Sequence, residues 1–274
     1  MKKKKLLDLL FDYFASIESN YPSNHFGIKP LASKDEYLDL FNHFKNINHK
    51  EIDDYENALG LKIDKQWIDN LALYTQIVIK KSDINYNHGR ILYSTLKNYI
   101  LVNKIESVNI IETGTARGFS SMCMSKAIND ANCKGKIITF DILPHNKKMI
   151  WNIIDDTSPE GPKSRNEILS RWPKELSNII FIQGSSRTHL LRTGIDRCHF
   201  AFLDAEHTKK DVLSEFDYIS KIQESGDIIV FDDVTPDTFP GVVEAVDFIH
   251  KEANYNIKKI FSSNKRGYAV AKKV

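Results

Sequence analysis

The chain has 274 residues, 42% hydrophobic and 27% charged, a balance that supports a buried core and excludes intrinsic disorder. That length makes one large domain or two small ones. The formal net charge is +2, with 15 basic and 13 acidic residues up to Lys104 and 23 of each beyond it, so neither part carries the one-signed field expected of a nucleic-acid or membrane binder.

Cys123, Cys133 and Cys198 show no C-x-x-C spacing and cannot build a disulfide framework. A reduced, cytoplasmic setting fits them. Lys2–Lys5 precede Leu6, Leu7, Leu9 and Leu10, but Asp8 and Asp12 interrupt the apolar run and no A-x-A site follows. A soluble amphipathic helix is expected there rather than a signal peptide. No stretch approaches the about 20 apolar residues of a membrane span.

The first hundred residues read as helical. Leu6, Leu9, Leu10, Phe14 and Ile17 recur at helical spacing. Ser33 and Glu36 form a capping box ahead of Leu38, Phe41 and Phe44. Asp64 caps a helix marked by Trp67, Ile68, Leu71 and Val78. Ile91 to Lys104 is a further helix, with Leu92, Leu96 and Ile100 on one face. No strand alternation and no internal repeat is visible here.

From Val108 the rhythm changes. Apolar runs at Val108–Ile111, Ile137–Phe140, Ile179–Ile182, Phe200–Leu203 and Ile228–Phe231 alternate with helical segments at Ser120–Asp130, Ser185–Leu191, Thr208–Gln223 and Pro240–Lys251. Such runs suit parallel strands buried on both faces. Ile257–Phe261 and Tyr268–Ala271 follow with only a short turn between them, an antiparallel pair. The pattern predicts an α/β fold: a Rossmann-like, doubly wound, mostly parallel seven-stranded sheet with an antiparallel last strand, preceded by an α-helical N-terminal region. Residues 1–104 form the helical region and 105–274 the α/β domain. The connection from Leu143 to Asn178, with Trp151 and the Pro159-Glu160-Gly161-Pro162 turn, is long enough to be either functional or extra helix laid over the sheet.

In such a sheet, ligands bind beyond the carboxyl ends of the strands. After the first strand comes Glu112-Thr113-Gly114-Thr115-Ala116-Arg117-Gly118-Phe119-Ser120. It is neither G-x-G-x-x-G nor a Walker A loop, which weakens a dinucleotide reading. Asp141, after the second strand, is placed to accept hydrogen bonds from two ribose hydroxyls; the alternative is a turn or cap aspartate. Gln183-Gly184-Ser185-Ser186 borders an adenine or caps a helix. Asp204-Ala205-Glu206-His207 and Asp232-Asp233 end the fourth and fifth strands. If these strands are neighbours, their ends lie about 5 Å apart. Three unpaired carboxylates there are costly, and a hard divalent cation, Mg²⁺ or a similar ion, resolves the conflict. The alternative is that one or two cap helices. His207, at the mouth of the same cleft, is a candidate general base, with Glu206 its competitor.

Together these segments resemble a class I S-adenosylmethionine-dependent methyltransferase over Val108 to Val274. They are most similar to metal-dependent small-molecule and sugar O-methyltransferases, the macrolide, aminocoumarin and cephalosporin-hydroxylase-like group. The resemblance implies that Glu112, Gly114, Thr115, Gly118 and Ser120 surround the cofactor's methionine moiety. Asp141 would hold the ribose, Ser185 and Ser186 the adenine side, and Asp204 would touch both cofactor and metal. Asp204, Asp232 and Asp233 match the metal triad, and the D-x-x-H spacing favours His207 over Glu206 as the base. Gly241-Val242 resembles the group's G-V helix start. The pattern departs at Ser225-Gly226, where the group has two glycines, and in a first motif with only two glycines.

In relatives, helical N-termini cover the active site or build a homo-oligomer, and His88, Gly89, Arg90 and Tyr93 are candidates for cofactor or substrate contact. The expected cofactors are S-adenosylmethionine and Mg²⁺, and the expected partner is a small-molecule or sugar acceptor. Two rival readings are an NAD(P)-dependent oxidoreductase and a non-catalytic cofactor-binding protein.

Overall fold

Local chemistry sets most element boundaries. The structure, a computed structural model, describes residues 25–81, 83–262 and 265–274; the amphipathic stretch from Leu6 to Ile17 lies outside them. Helix α1 (Lys34–Phe44) starts at Ser33, whose hydroxyl accepts the Glu36 amide at 3.3 Å while Glu36 accepts the Ser33 amide at 2.7 Å. Helix α2 (Lys50–Leu59) was not expected, because its acidic residues dilute the apolar stripe; it stops at Gly60 in the left-handed conformation. Helix α3 (Lys65–Thr75) is capped by Asp64, which accepts the Trp67 amide at 2.7 Å. It ends before Val78, which sits in extended chain rather than on the helix. Helix α4 (Asn87–Asn103) begins four residues earlier than its apolar face suggests.

The sheet contains β1 (Ser107–Thr113), β2 (Lys134–Asp141), β3 (Ile179–Gln183), β4 (Phe200–Leu203), β5 (Ile228–Phe231), β6 (Tyr255–Phe261) and β7 (Gly267–Lys273). Their order is β3-β2-β1-β4-β5-β7-β6. β1 pairs in parallel with β2 and β4, β2 with β3, and β4 with β5, while β7 runs antiparallel to β5 and β6. The order reverses between β1 and β4, which opens a crevice at their carboxyl ends. β1 extends two residues past its apolar run, so Glu112 and Thr113 lie in the strand rather than in the loop.

Apolar residues cover both faces. Helix α5 (Phe119–Asp130) and α4 pack with Ile110, Phe200 and Phe202 on one side. Helices α9 (Lys209–Lys221) and α10 (Pro240–Glu252) pack with Ile111, Ala201 and Phe231 on the other. Each fully buried Leu, Ile or Phe contributes roughly 1.5–3 kcal/mol of transfer free energy. Gly89 lets α4 approach α5, because a Cβ there would lie 2.5 Å from the Phe119 ring.

The long connection is folded chain. It carries short helices α6 (Arg165–Leu169) and α7 (Pro173–Leu176), with Trp151 fully buried. Asn152 accepts the Tyr37 hydroxyl at 3.0 Å, tying the connection to α1. Helix α8 (Ser186–His189) is a single turn after β3, shorter than the expected Ser185–Leu191, and continues as a 3-10 turn. Among the described residues, no helix is long and apolar enough to cross a membrane.

Candidate active site

The crevice between β1 and β4 holds a cavity of about 250 Å³. Gly114 sits at φ 89°, and a Cβ there would come within 2.3 Å of the Asp204 carbonyl oxygen, so only glycine lets the two strand ends meet. Asp141 closes the next side. Its Oδ2 accepts the Ala116 amide and its Oδ1 the Leu143 amide, at 2.5 and 2.6 Å. Gly114, Asp141, Ser185, Ser186, Asp204 and Glu206 all line the cavity. Ala116 lines it as well, while Glu112, Thr115, Gly118 and Ser120 are not among its lining residues. Glu112 is fully buried and accepts hydroxyl protons from Thr139 and Ser121. Burial raises its carboxyl above the ordinary range, and its Oε1 has no hydrogen-bond partner among the described residues. Thr115 bonds Thr139, Gly118 donates to Thr115, and Ser120 is 5% exposed in the first turn of α5. Arg117, the bulky residue in this loop, turns away and donates to the Trp151 carbonyl at 2.6 Å.

The β4 and β5 ends gather the acidic groups. One ligand atom each from Asp204, His207 and Asp233 lies within 4.8 Å of the others. His207 Nε2 is 3.0 Å from Asp233 Oδ2, and its ring stacks on Phe239 at 4.4 Å. The Asp233 hydrogen bond raises the imidazole above its ordinary value, with burial opposing. Asp233 adopts φ 55°, the left-handed region, which aspartate tolerates and which recurs at functional sites. Asp204 is pushed well up by burial and by Asp232 and Asp233.

Asp232, expected among the metal ligands, is not in this converging group. Arg266 grips both of its oxygens, and its Oδ1 also accepts the Asp233 amide at 2.6 Å. Burial works against its charge, but Arg266 and His88 outweigh it and hold the carboxyl below the ordinary range. Its Oδ1 is thus engaged twice and its Oδ2 once inside the protein, and the group of ligand atoms that converges within 4.8 Å is two carboxylates with one imidazole.

Of the helical-region candidates, His88 reaches the cleft. Its Nδ1 lies 4.0 Å from Asp232 Oδ2, and burial pushes its imidazole down to about 4, so it is neutral at pH 7. Arg90 pairs with Asp53 and Glu56 of α2, and Tyr93 donates to Asp130 at 2.7 Å; both brace helices. The same turn of α4 bounds a second cavity of about 410 Å³, lined in part by Asn85, Asn87, Arg90 and Glu56.

Three participants escaped the sequence. Arg266 lies in the β6–β7 turn, and its place followed from β7 running antiparallel beside β5, which brings the start of β7 to the end of β5. Phe26 lines the crevice cavity from the chain ahead of α1, with no pattern to reveal it. Arg165, in the long connection, lies 3.6 Å from Asp141.

Residues 111–234 match a methyltransferase domain family. No curated protein matches the chain. Among solved structures, the chain is similar to the O-methyltransferase TomG from Streptomyces achromogenes, involved in tomaymycin synthesis and solved with S-adenosylmethionine. Identity is 14%, over 89% of this chain and 100% of that one, with TM-score 0.52. It is also similar to the O-methyltransferase NovP, at 13% identity over 76% of this chain and 98% of that one, TM-score 0.52. An O-methyltransferase from Bacillus cereus, in complex with S-adenosylhomocysteine, matches at 14% identity over 88% and 96% of the two chains, TM-score 0.50. At such identities the likeness is one of fold: the chain has the Rossmann-like fold of these methyltransferases, and its residues 111–234 match the methyltransferase domain family.

Proposed function

We propose that the enzyme transfers the methyl group of S-adenosylmethionine to a hydroxyl of a small molecule or sugar, with a divalent cation held by Asp204, His207 and Asp233. The observation that carries this reading is the position of Asp204, which belongs both to the wall of the crevice cavity and to the converging donor set. Asp141 would accept the ribose hydroxyls, and Ser185 and Ser186 would border the adenine. The donor set suits a hard divalent cation, and its imidazole favours Mn²⁺ or a similar ion alongside Mg²⁺. When bound, such an ion lowers the pKa of an acceptor hydroxyl and orients it.

Transfer to oxygen releases a proton, which a side chain must take. With the His207 ring engaged by Asp233 and counted in the donor set, Glu206 on the cavity wall is the base. Without a cation, His207 assumes that role. The walls contribute orientation, holding donor and acceptor in line.

Titrating S-adenosylhomocysteine, NAD⁺ and Mn²⁺ into the protein, together with turnover of hydroxylated acceptors with and without EDTA, tests the reading. The homocysteine compound and Mn²⁺ bind, NAD⁺ does not, and EDTA stops turnover. Turnover undiminished in EDTA removes the cation from the mechanism, and NAD⁺ binding restores the oxidoreductase reading.

A further inference from the structure

Arg165 is the most deeply buried cation beside the crevice. Its side chain is 1% exposed, with the guanidinium 5.3 Å from the Trp151 ring centre and 5.7 Å from that of Phe181. Burying a guanidinium between aromatic rings is costly unless anionic or carbonyl partners offset it. Arg165 has two such partners. Its Nε donates to the Ala116 carbonyl at 2.8 Å, and its Nη2 lies 3.6 Å from Asp141 Oδ2. That contact is longer than a hydrogen bond, and Nη2 has no hydrogen-bond partner among the described residues.

Those two partners are the parts of the crevice that shape its cofactor side. Ala116 is the exposed residue of the β1–α5 loop, at φ 44°, and its own amide donates to Asp141. Leu143 holds the other oxygen of Asp141 from the start of the long connection. Ala116, Asp141 and Arg165 thus form a closed ring of contacts joining the loop after β1, the end of β2 and helix α6. Each Asp141 oxygen keeps a second lone pair for a ligand.

We propose that Arg165 is a positioning residue for ribose recognition. It locks the Asp141 carboxylate and the Ala116 loop together, so that Asp141 meets the vicinal hydroxyls of the cofactor's ribose with both oxygens preset. The proposal rests on the assignment of the ribose to Asp141. A planar guanidinium addresses both partners at once, which a lysine ammonium on a flexible stem does not. It also gives the long connection a role: α6 carries the brace for a site built from β1 and β2.

The experiment is calorimetric titration of S-adenosylhomocysteine and its 2′,3′-dideoxy analogue into the full chain and into Arg165→Met, Arg165→Lys and Asp141→Asn. The wild type prefers the ribose form. In Arg165→Met, affinity for that form falls about tenfold while the dideoxy analogue changes little, so the preference collapses toward that of Asp141→Asn. Arg165→Lys falls between, and serves as the readout where circular dichroism shows that the methionine variant does not fold. Parallel weakening of both ligands in the arginine variants means a merely structural role and overturns the proposal, as does an unchanged preference. A wild type that binds both ligands equally removes the ribose role of Asp141 and the proposal with it. Failure of the wild type to bind either ligand defeats the cofactor assignment itself.

Discussion

Arg266 closes on Asp232 with both ends of its fork, Nη2 2.6 Å from Oδ2 and Nε 3.1 Å from Oδ1. Asp232 is 2% exposed, so the pair lies largely out of water. Three carboxylates at two adjacent strand ends are made compatible partly from within the chain, by one guanidinium. The side chains that still converge are the smaller group of Asp204, Asp233 and His207, which the proposed function assigns to a cation.

Removing Arg266 therefore leaves a buried carboxylate without its main partner. Arg266→Met should destabilise the protein by about 3–5 kcal/mol, read as a fall in the urea midpoint. The double variant Arg266→Met/Asp232→Asn should cost less than the sum of the single changes, because the stranded charge is gone. Strict additivity would show that the two side chains do not act as a pair.

The same arrangement ranks the carboxylates for cation affinity. Asp204→Asn and Asp233→Asn each remove a donor and should weaken Mn²⁺ binding beyond detection. Asp232→Asn acts through its hold on the Asp233 amide and should cost about 10–100-fold. Mn²⁺ titration followed by electron paramagnetic resonance checks the order. An Asp232 variant as damaged as the Asp204 one would put Asp232 back among the ligands.

Most of the sheet was legible because buried parallel strands are short, apolar and unbroken; β4 and β5 match their predicted runs residue for residue. Helix α2 was not legible, since Glu56 and Asp53 face Arg90 of α4 and a charged face that pairs across helices has no apolar signature. The acidic strand ends could be placed from topology alone. Their division of labour could not, because it depends on Arg266, a turn residue whose meaning appears only once β7 is inserted beside β5. Arg165 is the harder case: nothing in the spacing of residues 143 to 178 links α6 to Asp141.

Gly114 is where the β1 and β4 ends touch, and it allows a sharp test of the crevice. Gly114→Ala would set a Cβ 2.3 Å from the Asp204 carbonyl at a φ of 89°. Backbone has to shift there, moving Asp204 with it. S-adenosylhomocysteine and Mn²⁺ affinities should fall together, each by tenfold or more, with a stability loss of about 1–3 kcal/mol. Loss of one ligand without the other would mean that Asp204 does not join the two halves of the site.

Glu215, on α9 beneath the crevice, predicts how stability changes with pH. Its side chain is 3% exposed as a residue and accepts the Thr113 hydroxyl at 2.8 Å. Burial pushes its carboxyl up to about 7, against an ordinary value of 4.5. Between these values the folded chain keeps a proton that the unfolded chain has released. Folding stability contributed by this group is thus fully present below pH 4.5 and is lost as pH rises toward 7. The full excursion is on the order of 3 kcal/mol. Glu215→Gln retains a hydrogen-bond acceptor for Thr113 without the ionisation, so its stability should exceed that of the wild type at pH 8 and approach it at pH 4.5. Urea unfolding across this range measures both slopes. Parallel curves for the two proteins would show that Glu215 ionises in the folded state as readily as in the unfolded chain.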